Sequence, residues 1–74
     1  MDTIGKMYRY LAIHEAYKEV AEHYGDAMRG LSMDFIYGEI EKRMQHRNLY
    51  ASRKTILRAL CSPVLTAEQI ERMR

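Results

Sequence analysis

Two groups of side chains in this sequence have the types and spacing to do chemistry. The first is His14, Glu15, Glu19, Glu22 and His23. Glu19 and His23 are one helical turn apart, and an imidazole beside a carboxylate is a donor pair that a divalent metal accepts. No second pair stands at ligand spacing, however, and a solvated helix face accounts for all five residues. On that reading Glu15 pairs with Lys18, Glu19 and Glu22 face water, and the histidines flank an apolar stripe. No metal and no cofactor are expected. Cys61 has no His or acid near it in sequence and follows Leu60, so a buried structural thiol is expected there. With no glycine-rich phosphate loop and no nucleophile motif, no catalytic residue is assigned, and an enzyme is not expected.

The second group is cationic. Of the twelve Lys and Arg in the chain, six lie between residues 42 and 58 (Lys42, Arg43, Arg47, Arg53, Lys54 and Arg58), with no Asp or Glu among them. The net charge of the whole chain is only +2, so the remainder is neutral to acidic. This asymmetry draws a polyanion or an acidic protein surface to one part of the molecule.

The elements that must position these groups are helices. Tyr10, Ile13, Tyr17, Val20, Tyr24, Ala27 and Leu31 recur at steps of three and four, the period of one helix face. A helix over about Thr3 to Tyr24 follows, or two helices with a break near Ile13, and Gly25 offers the left-handed conformation that ends helices. Residues 25 to 31 read as a connection with at most a helical turn. Ser32 caps a second helix from Met33, with Asp34 favouring its positive end. Its expected buried face is Phe35 or Ile36, Ile40 and Met44, and His46, Arg47 and Asn48 end it. Ser52 caps a third helix, Arg53 to Cys61, with Ile56, Leu57 and Leu60 as its apolar face, and Ser62-Pro63 stops it. Thr66 and Gln69 form a capping box for a fourth helix from about Ala67 to Met73, with Leu65 and Ile70 as its hydrophobic staple.

The stretch Ser52-Arg-Lys-Thr-Ile-Leu-Arg-Ala-Leu60 resembles the recognition helices of helix-turn-helix and winged-helix DNA-binding domains, which share a Ser cap, polar residues in the first turn and a Thr-Ile pair. The resemblance covers nine residues. It implies that Ser52, Arg53, Lys54, Thr55 and Arg58 reach a major groove while Lys42, Arg43 and Arg47 meet flanking phosphates. The join from Gln45 to Ala51 is longer than the usual three or four residues, and nothing after Pro63 reads as a two-stranded wing. An earlier register, Glu19-Val-Ala-Glu-His-Tyr-Gly25, resembles the first half of the same motif but has a poor sequel, with Asp26 and Asp34 at positions that should be apolar. If Arg43, Arg47, Arg53, Lys54 and Arg58 all meet phosphates, the salt slope of binding is about −4 to −5.

Length and composition bound the rest. A chain of 74 residues forms a single domain, residues 1–74, whose core supplies only about 3–5 kcal/mol of net stability. Six Tyr are more than such a domain readily buries, so Tyr10, Tyr17 and Tyr24 are candidates for a dimer or partner surface as well as for the core. A single Cys, the lack of a signal-peptide core and the lack of a membrane-length apolar run point to a cytoplasmic protein. The expectation is an all-α bundle of about four helices containing a helix-turn-helix-like pair. Its expected function is that of a small regulator binding double-stranded DNA, as a homodimer. A protein-binding module or inhibitor, docking through the basic end or the Tyr/Met face, is the alternative, and RNA is a third ligand class. Neither a membrane nor a small-molecule substrate is expected.

Overall fold

The computed structural model describes residues 3–73, and they form four α-helices with no strand among them. The helices are α1 (Thr3–Tyr24), α2 (Met33–His46), α3 (Arg53–Leu60) and α4 (Ala67–Arg72), with a 3-10 turn over Gly25–Gly30 between the first two. Helix α1 runs without a break at Ile13, and its 22 residues, about 33 Å long, set the long axis of a 40 × 21 × 20 Å molecule. The other three helices all pack against α1, which makes it the spine of the fold.

Local chemistry explains where each helix starts and stops. Gly25 adopts φ +55°, the left-handed conformation that terminates α1. The Ser32 hydroxyl accepts from the Phe35 amide at 3.1 Å and opens α2. Helix α2 closes in a Schellman arrangement: Asn48 takes φ 57°, its amide donates to the Gln45 carbonyl, and the Leu49 amide donates to the Met44 carbonyl, both at 2.9 Å. Ser52 caps α3 through the Thr55 amide at 3.3 Å. In α4 the capping box is complete, with the Gln69 amide donating to Thr66 Oγ1 at 3.2 Å and the Thr66 amide donating to Gln69 Oε1 at 2.9 Å.

The core is apolar throughout, built from Ala12, Ile13, Ala16 and Val20 of α1, Ile36, Ile40 and Met44 of α2, Ala51, and Ile56 and Ala59 of α3, with Ile70 of α4 also buried. This packing decides which members of the expected faces are buried, and it corrects one of them, Leu57 of α3. Ile13 and Val20 are the buried members of the α1 stripe, joined by Ala12 and Ala16, whereas Tyr17 is 37% exposed and Tyr10 and Tyr24 pack only partly on the core. Small side chains at 12 and 16 let neighbouring elements approach the α1 backbone more closely than a row of tyrosines allows. In α3, Ile56 and Ala59 face inward and Leu57 is 49% exposed, because the helix turns its Ala59 side to the spine. On α2, Ile36 is buried and Phe35 lies outside, its ring edge-on to Tyr24 at 5.6 Å.

No helix among the described residues is long and apolar enough to cross a membrane.

Candidate nucleic-acid interface

Helix α3 is anchored from behind by Ile56 and Ala59, so its opposite side is available to a ligand. Arg53, Lys54, Leu57 and Arg58 are exposed on that side, and Cys61 follows at its end. Cys61 is an exposed free thiol, contrary to the buried one expected; it is the C-cap of α3, one position beyond the last inward-facing turn. Thr55 is half-buried, and its hydroxyl lies 3.1 Å from Ser52 Oγ, so the first turn of α3 is knitted by its own cap.

The cations that are contiguous in sequence divide into two sets in space. Arg43 and Arg47 are drawn toward α1. The Arg47 guanidinium donates to the Ala12 carbonyl at 3.1 Å, binds Glu19, and lies 3.7 Å from Glu15. Arg43 Nε lies 3.7 Å from Glu19 Oε2, and its Nη1 donates to the Glu39 carbonyl oxygen at 3.2 Å. Glu15 thus meets Arg47 instead of Lys18, and Glu19 is an interhelical partner instead of a purely solvated acid. The second set stays accessible, with Arg53, Lys54 and Arg58 on α3 and Lys42 on α2. Arg53 reaches Asp34 at 2.9 Å and Glu41 at 3.6 Å, in pairs whose side chains stay largely in solvent. Lys42 pairs with Glu39 at 3.1 Å while 73% of its side chain remains exposed. Lys54 and Arg58 have no ion pair among the described residues.

Glu39 organises the seam between the end of α1 and the middle of α2. Its carboxylate accepts from Lys42 at 3.1 Å, from the Tyr24 hydroxyl at 3.0 Å and from Arg43 at 3.4 Å. Those donors, Lys42 first, hold its carboxyl below the usual Glu range. The same contact works in the opposite direction on Tyr24, whose phenol is raised by desolvation first and then by its bond to Glu39. The Glu39 pairs with Lys42 and Arg43 sit at i,i+3 and i,i+4 and are readable from sequence. The α1 to α2 bridges are not, because they depend on how two helices are rotated about each other.

Tyr10, Tyr17 and Tyr24 do not form one surface of equal exposure: Tyr24 is engaged with Glu39 and Phe35, and Lys6 lies 5.5 Å over the Tyr10 ring. Among the described residues no group of three or more His, Cys, Asp or Glu stands in a position to hold a metal ion. In comparisons with known proteins, no family model, no curated protein and no solved structure matches this chain.

Proposed function

We propose that this protein is a small duplex-DNA-binding regulator that presents the outer side of α3 to a major groove. The observation that carries the reading is the side of α3 bearing Arg53, Lys54 and Arg58, which is exposed, holds no acid of its own, and is fixed by Ile56 and Ala59 behind it. An eight-residue helix is about 12 Å long, close to the width of a B-form major groove. Lys54 and Arg58 are free to bind phosphates or base edges. Arg53 can exchange the exposed Asp34 for phosphate at little cost, since solvent-facing ion pairs contribute about 0–1 kcal/mol, and the exposed ammonium of Lys42 can meet a phosphate while still donating to Glu39. Ser52 supports the site as the cap that orients the first turn. Thr55 is placed by that same cap. In this reading Arg43 and Arg47 clamp α1 to α2 and stand outside the phosphate contacts. Four cations meeting phosphates give a salt slope of about −3 to −4.

The test is a titration of duplex DNA with the full chain and with a Lys54→Ala, Arg58→Ala double variant. Neither side chain supports the fold through an ion pair, so the variant keeps the wild-type Tm and binds duplex more weakly, with a shallower salt slope. Retention of full affinity by a folded variant overturns the reading.

A second reading is favoured by one specific feature: Leu57 and Tyr50 are 49% and 78% exposed. An apolar residue ringed by Lys54 and Arg58 also suits an acidic amphipathic segment of another protein. Leu57→Ser separates the two, because it abolishes docking of such a segment and leaves the salt slope on DNA unchanged.

A further inference from the structure

Of the large apolar side chains that stand exposed among the described residues, Leu57 is the one on α3. The other apolar residues of that helix turn inward: Ile56 and Ala59 are buried and Leu60 packs against the core, whereas Leu57 is 49% exposed. A single exposed leucine is ordinary on a protein surface, and it is the position of this one that gives it a role. Counted at about 100° per residue, Leu57 lies about 40° around the helix from Arg53 and about 60° from Lys54, one turn further along the axis. It therefore sits within the cationic side, near the middle of the eight-residue helix. A polyanion drawn to Arg53, Lys54 and Arg58 covers it.

The group that covers Leu57 decides what the contact contributes. Base edges in a major groove are hydrogen-bond donors and acceptors, with one methyl group among them, the 5-methyl of thymine. Against guanine, cytosine or adenine, Leu57 displaces water from polar groups to which it offers no hydrogen bond. Against thymine it buries its own apolar surface on that methyl group.

We propose, resting on the reading that α3 enters a major groove, that Leu57 makes the protein select thymine by packing on its 5-methyl group. Arg53, Lys54 and Arg58 hold the helix on the duplex through phosphates or guanine edges, and Leu57 adds a discrimination that phosphate contacts do not carry. The contact has no ionic part, so the preference is independent of salt while the affinity is not.

The experiment uses one pool of random-sequence duplexes synthesised twice, once with thymidine and once with deoxyuridine, so that the two differ only in that methyl group. Both compete for a limiting amount of the full chain, and the most tightly bound fraction is counted. The wild-type chain is expected to retain thymine duplexes about fourfold over uracil duplexes, the size of one methyl group moved out of water, with the same ratio at low and moderate salt. Leu57→Ser, an exposed substitution that leaves the fold intact, retains the two equally at an unchanged salt slope. Lys54→Ala weakens binding to both and keeps the preference. Duplex binding with equal retention of the two pools by the wild type overturns this inference and leaves the DNA reading standing, and so does a thymine preference that persists in Leu57→Ser. Binding of neither pool at low salt overturns the DNA reading itself and this inference with it.

Discussion

Glu39 shows how a single carboxylate sets the pH response of this protein. Its carboxyl titrates below the ordinary Glu range because Lys42, Tyr24 and Arg43 all donate to it in the folded state. A depressed folded value means that its contribution is fully present above the unfolded Glu value and is lost as pH falls through the folded one. Glu39→Gln therefore lowers Tm at neutral pH and narrows the gap to wild type as the pH drops below about 4, which thermal melts over a pH series will show. Tyr24 has the opposite sign. Its raised phenol stabilises the fold below the ordinary Tyr value, and the contribution disappears as the pH climbs through the raised one. Backbone conformation gives a second residue-scale prediction. With φ near +57°, Asn48→Gly is neutral to stabilising, and Asn48→Ala costs about 1 kcal/mol in denaturant unfolding.

At the scale of elements, helix ends were legible in the sequence and helix faces only partly so. Ser32, Ser52 and Thr66 act on amides three residues ahead of them, so their signals are local and the helix starts follow directly. Which side of α3 turns inward is decided by α1, and the local pattern could not choose between Leu57 and Ala59. Cys61 was misplaced for the same reason, since its exposure follows from the rotation of α3 against the spine. The clamp between α1 and α2 is likewise a product of packing. Arg47 serves the Ala12 carbonyl and two α1 carboxylates at once, so Arg47→Ala lowers stability by about 1–3 kcal/mol while leaving the salt slope of DNA binding unaltered. At the other end of the chain, Thr66→Ala removes half of the capping box and frays α4 at a cost of about 1 kcal/mol, visible as faster amide exchange around Ile70.

For the whole molecule, the run of cations from Lys42 to Arg58 overstates the charge that any ligand meets. Folding returns Glu15, Glu19 and Glu39 to Arg43 and Arg47, and what remains accessible is a shorter group centred on α3. The all-α class and the order of its helices were readable because each helix carries its own period and cap. The division of the cations was not, because it depends on contacts between residues far apart in the chain, such as Arg43 and Arg47 with Glu19. A spine helix with three shorter partners leaves α3 held by a modest core, so its presentation depends on that core staying intact. Ile13→Ala opens a cavity where the spine is most deeply buried and costs about 2–5 kcal/mol, comparable to the whole stability of a domain this small.

The most direct measurement is duplex-DNA affinity as a function of salt, for the wild-type chain and the Lys54→Ala, Arg58→Ala variant. The account predicts a wild-type slope of about −3 to −4 in log K against log salt, falling to about −2 in the variant at unchanged Tm. No duplex binding by the wild type at low salt, or an identical slope in both proteins, contradicts it.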